Sequence, residues 1–594
     1  MIIRPRALFP LLAVFTTLAA VPGHAVLPTT PQITVVAYTG EQDPNEPAGY
    51  DYLRFFTPEV GPFLAVVSPP SPAVTGTDSL DVGGLFSGIP GAILSAVTQP
   101  SGDALLASFK PGDGGITSAD NVALLYGELN YAPDVKSYAQ TGTPLDDLPP
   151  GVTIRKFMTL DGNGDPIFFA TLQGAGVTSA NSLALCTFDT DTNTIERDSS
   201  AAPDTVGAFP DVLNVLVRVG DSVVVIGDNK KTVKTITSLI GSKGTLAQGR
   251  WRSSNADSGE SEVGVLLTFT DGSQALDLIP VDASNSFDWT QLPETGLVSN
   301  IDGLDGFTIT SFGTPAFDVQ NTFAVLANLK LGTVAESGSQ TEVTDSLPEG
   351  LVVSSANDVA LILGRGFDTP YVLARKGDSV TADANGNPLT GVTISGLSDP
   401  VVGDNGSVAF MITMAGRSAA ANTGIEFYDS NSEELSLLAN AGASAPGTSG
   451  TASSIGQWAS FSSLVLPSAG GLSFKFTSAL AGPDTEFTDE AGPIFVATLA
   501  PSSAADVNAT NNLGLWAVNG EDELQLLFRT GQTVTVNSLS KTVRTFVALA
   551  AAPGSVGAVS GYDSDGDVAV LATFTDGTKA LLDISIPEVG EPDL

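Results

Sequence analysis

VLLTFTDGSQAL, running from Val265 to Leu276, returns as VLATFTDGTKAL from Val570 to Leu581. In both copies an alternating apolar run breaks at Thr-Asp-Gly and then resumes, which is the pattern of a strand, a tight turn and a second strand. The likeness extends upstream. LVRVGDSVVV from Leu216, followed by KTVKTIT from Lys231, matches LFRTGQTVTV from Leu527, followed by KTVRTFV from Lys541. The chain is thus an internal duplication of roughly half its length, and a duplication of β elements points to a repeat architecture.

A shorter unit recurs within each half. Its mark is a β-type segment ending in Gly, at Gly40, Gly76, Gly142, Gly220, Gly296, Gly377, Gly442 and Gly531. Downstream come a turn and an alternating apolar strand, as in NGDPIFFATL (163–172), SEVGVLLTF (261–269), GGLSFKFTS (470–478) and DGDVAVLATF (565–574). A further strand then opens near Asn, as in NVALLY (121–126), NSLALC (181–186), NDVALI (357–362), NTGIEF (422–427) and NNLGLW (511–516). With the extended segment that follows each Gly, this makes four short strands per unit. The expected fold is all-β, a β-propeller of seven or eight four-stranded blades. Two smaller β domains or a β solenoid are the alternatives.

Closure separates a ring from a solenoid. The last unit stops after ALLDISIP (580–587) without a strand ending in Gly, whereas ITVVAYTG (33–40) stands at the other end of the chain with no blade before it. Pairing the second into the first closes a ring, while a solenoid needs two caps. The expected organisation is a signal peptide over 1–25, then two halves of the repeat array, 26–281 and 282–594, together forming one propeller.

Composition narrows function mainly by exclusion. The 594 residues include 65 Asp plus Glu, 25 Lys plus Arg, one Cys and one His, for a formal net charge of −40 at pH 7. His24 falls in a stretch with Arg4, Arg6, an apolar run from Ala7 to Val21 and the small-residue site Gly23-His24-Ala25, which reads as a secretory signal. Cleavage after Ala25 leaves a mature chain without histidine, hence without Ser-His-Asp or Cys-His catalysis or a His-ligated metal. Such acidity repels nucleic acid and anionic membranes, and no apolar run after the signal is long enough to span a bilayer. The expected location is secreted or at the cell surface. Phosphate loops, Gly-x-Ser-x-Gly elbows and Cys-x-x-Cys pairs are absent.

The units resemble those of the bacterial secreted "choice-of-anchor tandem repeat NxxGxxAF-containing" proteins. The likeness rests on NGSVAF (405–410), QGAGVTSAN (173–181), GLW (514–516), GASAPG (442–447) and the TFTDGS and TFTDGT endings. It implies export and propeller-like repeats, but no reaction. Members typically end in a sorting signal; this chain stops at Leu594 without one.

The metal candidates are three acidic turns: Asp161, Asn163 and Asp165; Asp383, Asn385 and Asn387; and Asp563, Asp565 and Asp567. Oxygen ligands at i, i+2 and i+4 around a Gly suit calcium. The twelfth position, which an EF-hand fills with a bidentate acid, is Leu172, Ile394 and Phe574, so these are short calcium loops or plain strand connections. Cys186, level with Tyr126 and Trp516 in its unit, reads as a buried core residue. Trp251, Trp289, Trp458 and Trp516 read as packing residues. The expected function is a non-enzymatic structural or interaction module, with extracellular polysaccharide or a surface protein as partner. A polysaccharide-active hydrolase or lyase and a calcium-stabilised adhesion protein are the alternatives.

Overall fold

The structure, a computed structural model, describes residues 31–38, 103–108, 117, 122–127, 136–145, 148–161, 167–188, 213–225, 229–239, 252–254, 261–281, 290–296, 301–304, 307–317, 322–331, 353–365, 369–403, 406–448, 455–466, 492–519, 522–548 and 567–587. Among them are strands, turns and loops, and no helix.

Among the described residues the strands form seven antiparallel sheets, in which chain order is spatial order save that Gln32–Tyr38 joins the last. The second is typical: Thr153–Asp161, Ile167–Gln173, Leu183–Phe188 and Leu213–Arg218. The second strands coincide with the predicted apolar runs in most sheets. In the sixth, however, this place is taken by Ile494–Leu499, and GGLSFKFTS lies outside the described residues.

Successive sheets share hydrophobic cores from the first to the seventh. On Thr322–Leu331 of the fourth sheet, Phe323, Val325 and Ala327 enter the core shared with the third sheet, while Ala324 and Leu326 enter the core shared with the fifth. Period-two alternation therefore feeds two cores at once, and central strands such as Val359–Arg365 are buried along most of their length. Sheets stacked face to face in chain order are the blades of a propeller.

The ring closes as the sequence predicts. Gln32–Tyr38 pairs antiparallel with Lys579–Ser585, from Gln32 opposite Ser585 to Tyr38 opposite Ala580, and so becomes the fourth strand of the seventh sheet. This excludes an open solenoid and joins the two ends of the array. The signal segment 1–25 lies outside the described residues.

Two irregularities recur in register. Setting aside the short strands Ser222–Val225 and Thr533–Val536, which extend the third and seventh sheets, the first strand of each of the second to seventh sheets carries a β-bulge just after a buried residue: Ile154, Val233, Ile309, Ile394, Trp458 or Val543. The extra residue turns a pair of side chains away from the preceding sheet. These pairs are Arg155–Lys156, Lys234–Thr235, Thr310–Ser311, Ser395–Gly396, Ala459–Ser460 and Arg544–Thr545. The other register shift lies between third and fourth strands. It places Cys186 level with Leu125, Ile362 and Trp516, so Tyr126 is one residue out of the expected alignment.

Candidate functional site

The Gly marks are the joints between blades. Gly142, Gly220, Gly296, Gly377, Gly442 and Gly531 all have φ between 80° and 95°. Each donates its N–H to the carbonyl of the residue preceding the next sheet's first-strand bulge, at 2.7 to 2.9 Å. The turn needs a residue that tolerates positive φ, and at Gly531 an added Cβ would stand 2.7 Å from that of Asn511.

Recurrent polar side chains brace these joints. Arg218 and Arg375, two residues before their Gly, donate Nε–H to the carbonyls of Asn181 and Asn357 at 2.6 and 3.0 Å, and Arg529 does the same to Asn511. The three Asn side chains in turn accept backbone N–H bonds from Thr178, Ser354 and Asn508 at 2.6 to 2.8 Å. The Asn that recurs before the third strand is therefore a turn former whose carbonyl anchors an arginine. Sequence reading found the Asn and Gly but overlooked the Arg, although VLVRVG, VLARKG and LLFRTG display it.

The bulge between third and fourth strands yields the most unusual chemistry. The position held by Cys186 and Trp516 is Asp277 in the third sheet and Glu426 in the fifth. Both carboxyls are buried, with Asp277 only 2% exposed and its Oδ2 unpaired. Burial, reinforced by the nearby Glu294, pushes Asp277 up to about 8; burial alone pushes Glu426 up to about 7. Glu294 is raised by burial, partly offset by Lys231, whose Nζ lies 3.4 Å from its Oε1. Asp277 and Glu426 thus hold protons inside the fold near neutral pH. The signal available in sequence was a lone acid inside an apolar strand, in ALDLIP and GIEFYD.

A cleft of about 280 Å³ opens between the fifth and sixth sheets, with Gly396 of the fifth-sheet bulge at its wall. Ser398, Thr413 and Thr423 supply hydroxyls, and Phe461 supplies an aromatic face. Gly396 lies close to its neighbour here, and an added Cβ would meet Thr413 Oγ1 at 2.6 Å, so that the hydroxyl would have to turn aside.

The sequence candidates are scattered. Asp161 ends the first strand of the second sheet opposite Ile167, and Asp567 starts a strand opposite Ser585. Asn163, Asp165, Asp563 and Asp565 lie outside the described residues. In the middle turn, Asp383 Oδ1 accepts the N–H groups of Asn385 and Asn387 at 3.0 and 2.9 Å and also the Asn387 amide. Burial raises the Asp383 carboxyl, but these hydrogen bonds and Arg417 outweigh it and hold the group below its ordinary value. Among the described residues no cluster of three or more His, Cys, Asp or Glu is placed to hold a metal ion.

Cys186, Trp458 and Trp516 are buried as expected, and Trp516 Nε1 donates to the Pro446 carbonyl of the GASAPG loop at 3.1 Å. Trp251 and Trp289 lie outside the described residues. No described helix is long and apolar enough to cross a membrane.

No curated protein matches the chain. Among solved structures it is similar to a puromycin hydrolase, with 10% identity and a TM-score of 0.31 over 77% of this chain and 50% of that one. It is also similar to a lectin from Burkholderia pseudomallei, with 10% identity and a TM-score of 0.28 over 84% and 97%. A Trypanosoma rangeli sialidase in complex with 2,3-difluorosialic acid aligns at 9% identity and a TM-score of 0.25, over 83% and 54%. The chain thus spans about half the length of the hydrolase and the sialidase. A family of unknown function (DUF7453) matches residues 288–592, more than half of the sequence, and the chain belongs to that family.

Proposed function

We propose that the protein is an exported, non-enzymatic propeller that serves as a structural or interaction module, with its halves 26–281 and 282–594 acting as one ring. The observation carrying this reading is where the repeated polar groups are used. Arg218, Arg375 and Arg529 are bound to the backbone of Asn181, Asn357 and Asn511, and Lys231 and Lys541 are bound to turn residues of their own sheets. What duplication has multiplied is joint chemistry. The signal-like N-terminus and the resemblance to secreted tandem-repeat proteins support export.

The test is a panel of neutral and acidic extracellular polysaccharides, measured in parallel for binding and for release of reducing ends. Binding without turnover is the expected outcome. Turnover that survives purification and is abolished by a carboxylate substitution would overturn the reading.

A further inference from the structure

We propose that the bulged first strands form a binding band for an acidic oligosaccharide, a step that rests on the interaction-module reading above. The bulge pairs carry no Asp or Glu in a chain that has 65 of them, yet they hold four of its 25 basic residues: Arg155, Lys156, Lys234 and Arg544. All four are exposed, and among the described residues none makes an ion pair or a side-chain hydrogen bond. They differ in this from Lys231, Lys376 and Lys541, each paired with an acid.

Their orientation is set by their neighbours. Ile154 and Phe157 pack on the first sheet, and Val543 and Phe546 pack with residues of the sixth, so each intervening bulge pair turns to the opposite face. In the fifth sheet that face borders open space, the cleft beside Gly396.

Arg155, Lys156 and Lys234 stand on the adjoining second and third sheets, and Arg544 stands on the seventh. Thr235 and Thr545 stand beside Lys234 and Arg544 and add hydroxyl partners. Stacked sheets are about 10 Å apart, so the second and third sheets present their cations at an interval that suits neighbouring charges of a short glycan. A short ligand is selected because the chain's −40 charge repels a long polyanion, whereas screening over about 8 Å at physiological salt leaves the local cations dominant.

The test is calorimetric titration of the full mature chain with a carboxylated probe, a galacturonic acid oligosaccharide, and a sulfated one, a heparin-derived tetrasaccharide. A neutral galactose oligosaccharide and a single-stranded oligonucleotide serve as controls. One acidic probe should bind, and the Arg155→Ser/Lys156→Ser double variant and Lys234→Ser should each weaken it tenfold or more with an unchanged melting temperature. Binding should also fall in 0.5 M salt, and the probe that binds identifies carboxylate or sulfate as the anion. No binding of either acidic probe, unchanged affinity in the variants, or tighter binding of the oligonucleotide overturns the band. Neutral-probe binding indifferent to the cations overturns it while leaving the interaction-module reading intact. Cleavage of a bound acidic probe would overturn that reading instead and leave the band standing.

Discussion

The third and seventh sheets are copies of one design that have taken different chemistry into their interiors. Both place a first-strand lysine over a Phe ring and beside a Thr-Asp-Gly turn: Lys231 with Phe269 and Asp271, and Lys541 with Phe574 and Asp576. Where the third sheet buries Asp277, however, the seventh buries Leu582. Opposite the matching alanines, Ala275 and Ala580, stand Glu294 and Tyr38. The third sheet takes its fourth strand from the adjoining chain, Thr290–Glu294, while the seventh takes Gln32–Tyr38 from the far end. Turn and lysine are what both copies retain; interior polarity and strand source are what differ.

The borrowed strand gives the largest expected effect. A chain beginning after Tyr38 leaves Lys579–Ser585 as an unpaired edge and strips Ile33 from the core it packs on. The melting temperature should fall by several degrees, a loss of several kcal/mol. A synthetic peptide spanning residues 31–40 should restore it by mass action. An unchanged melt would mean that the closure contributes nothing, and the contrast between the two sheets would lose its main term.

Next comes the buried acid. Between about pH 4 and pH 8 the folded protein keeps a proton on Asp277 that the unfolded chain has released. Its contribution is therefore fullest at low pH and is lost as pH rises towards 8. Asp277→Leu, which rebuilds the seventh-sheet arrangement, should remove this dependence and raise stability at pH 8 by a few kcal/mol, read from urea midpoints at pH 5 and pH 8. Parallel pH profiles for variant and parent would show that Asp277 is not the titrating group. Glu426→Gln should flatten the profile less, because Glu426 is raised only to about 7.

A smaller effect follows from sheet stacking. Gly264 faces the fourth sheet, where an added Cβ would stand 2.2 Å from the Phe317 ring, whereas the corresponding seventh-sheet residue is Ala569. Gly264→Ala should cost about 1–3 kcal/mol, the usual price of overpacking, and Gly264→Ala/Phe317→Leu should recover part of it. If the double variant is no better than the single, the contact between these sheets is softer than its geometry implies.

The ring itself was legible because its determinants are local and repeated. Alternating apolar residues specify strands, Gly specifies the joint, and the missing last strand specifies closure. Register was less accessible. A bulge adds one residue without changing the apolar alternation around it, so Tyr126 was matched to Cys186 although Leu125 occupies that level. The buried acids were hidden for a related reason. Among 65 Asp and Glu, only strand pairing reveals that Asp277 and Glu426 share a core position with Trp516. The predicted acidic turns were visible as spacing, but the one described in full, at Asp383, spends its carboxylate on its own backbone.

The lysines provide the finest test of the comparison. Lys541 is committed to its turn, 2.8 Å from Asp576 and 2.7 Å from Thr578, and it is the leading cause of Asp576's depressed pKa. Lys231 is divided: it lies 2.8 Å from Ser273, 3.4 Å from Glu294 and 4.0 Å from Asp271, whose lowered pKa comes first from Ser273. The buried Glu294 thus shares the cation with the turn. Lys541→Met removes a pair whose acid is half exposed and stays solvated without it, and should cost below about 1 kcal/mol. Lys231→Met leaves Glu294 buried without its cation and should cost about 1–2 kcal/mol more, because uncompensated burial of charge outweighs loss of a surface contact. The excess should vanish in a Glu294→Gln background, where no charge remains to be stranded. Equal costs for the two lysines in the parent chain would mean that Glu294 is already neutral when folded, and the two sheets would then differ in shape but not in charge.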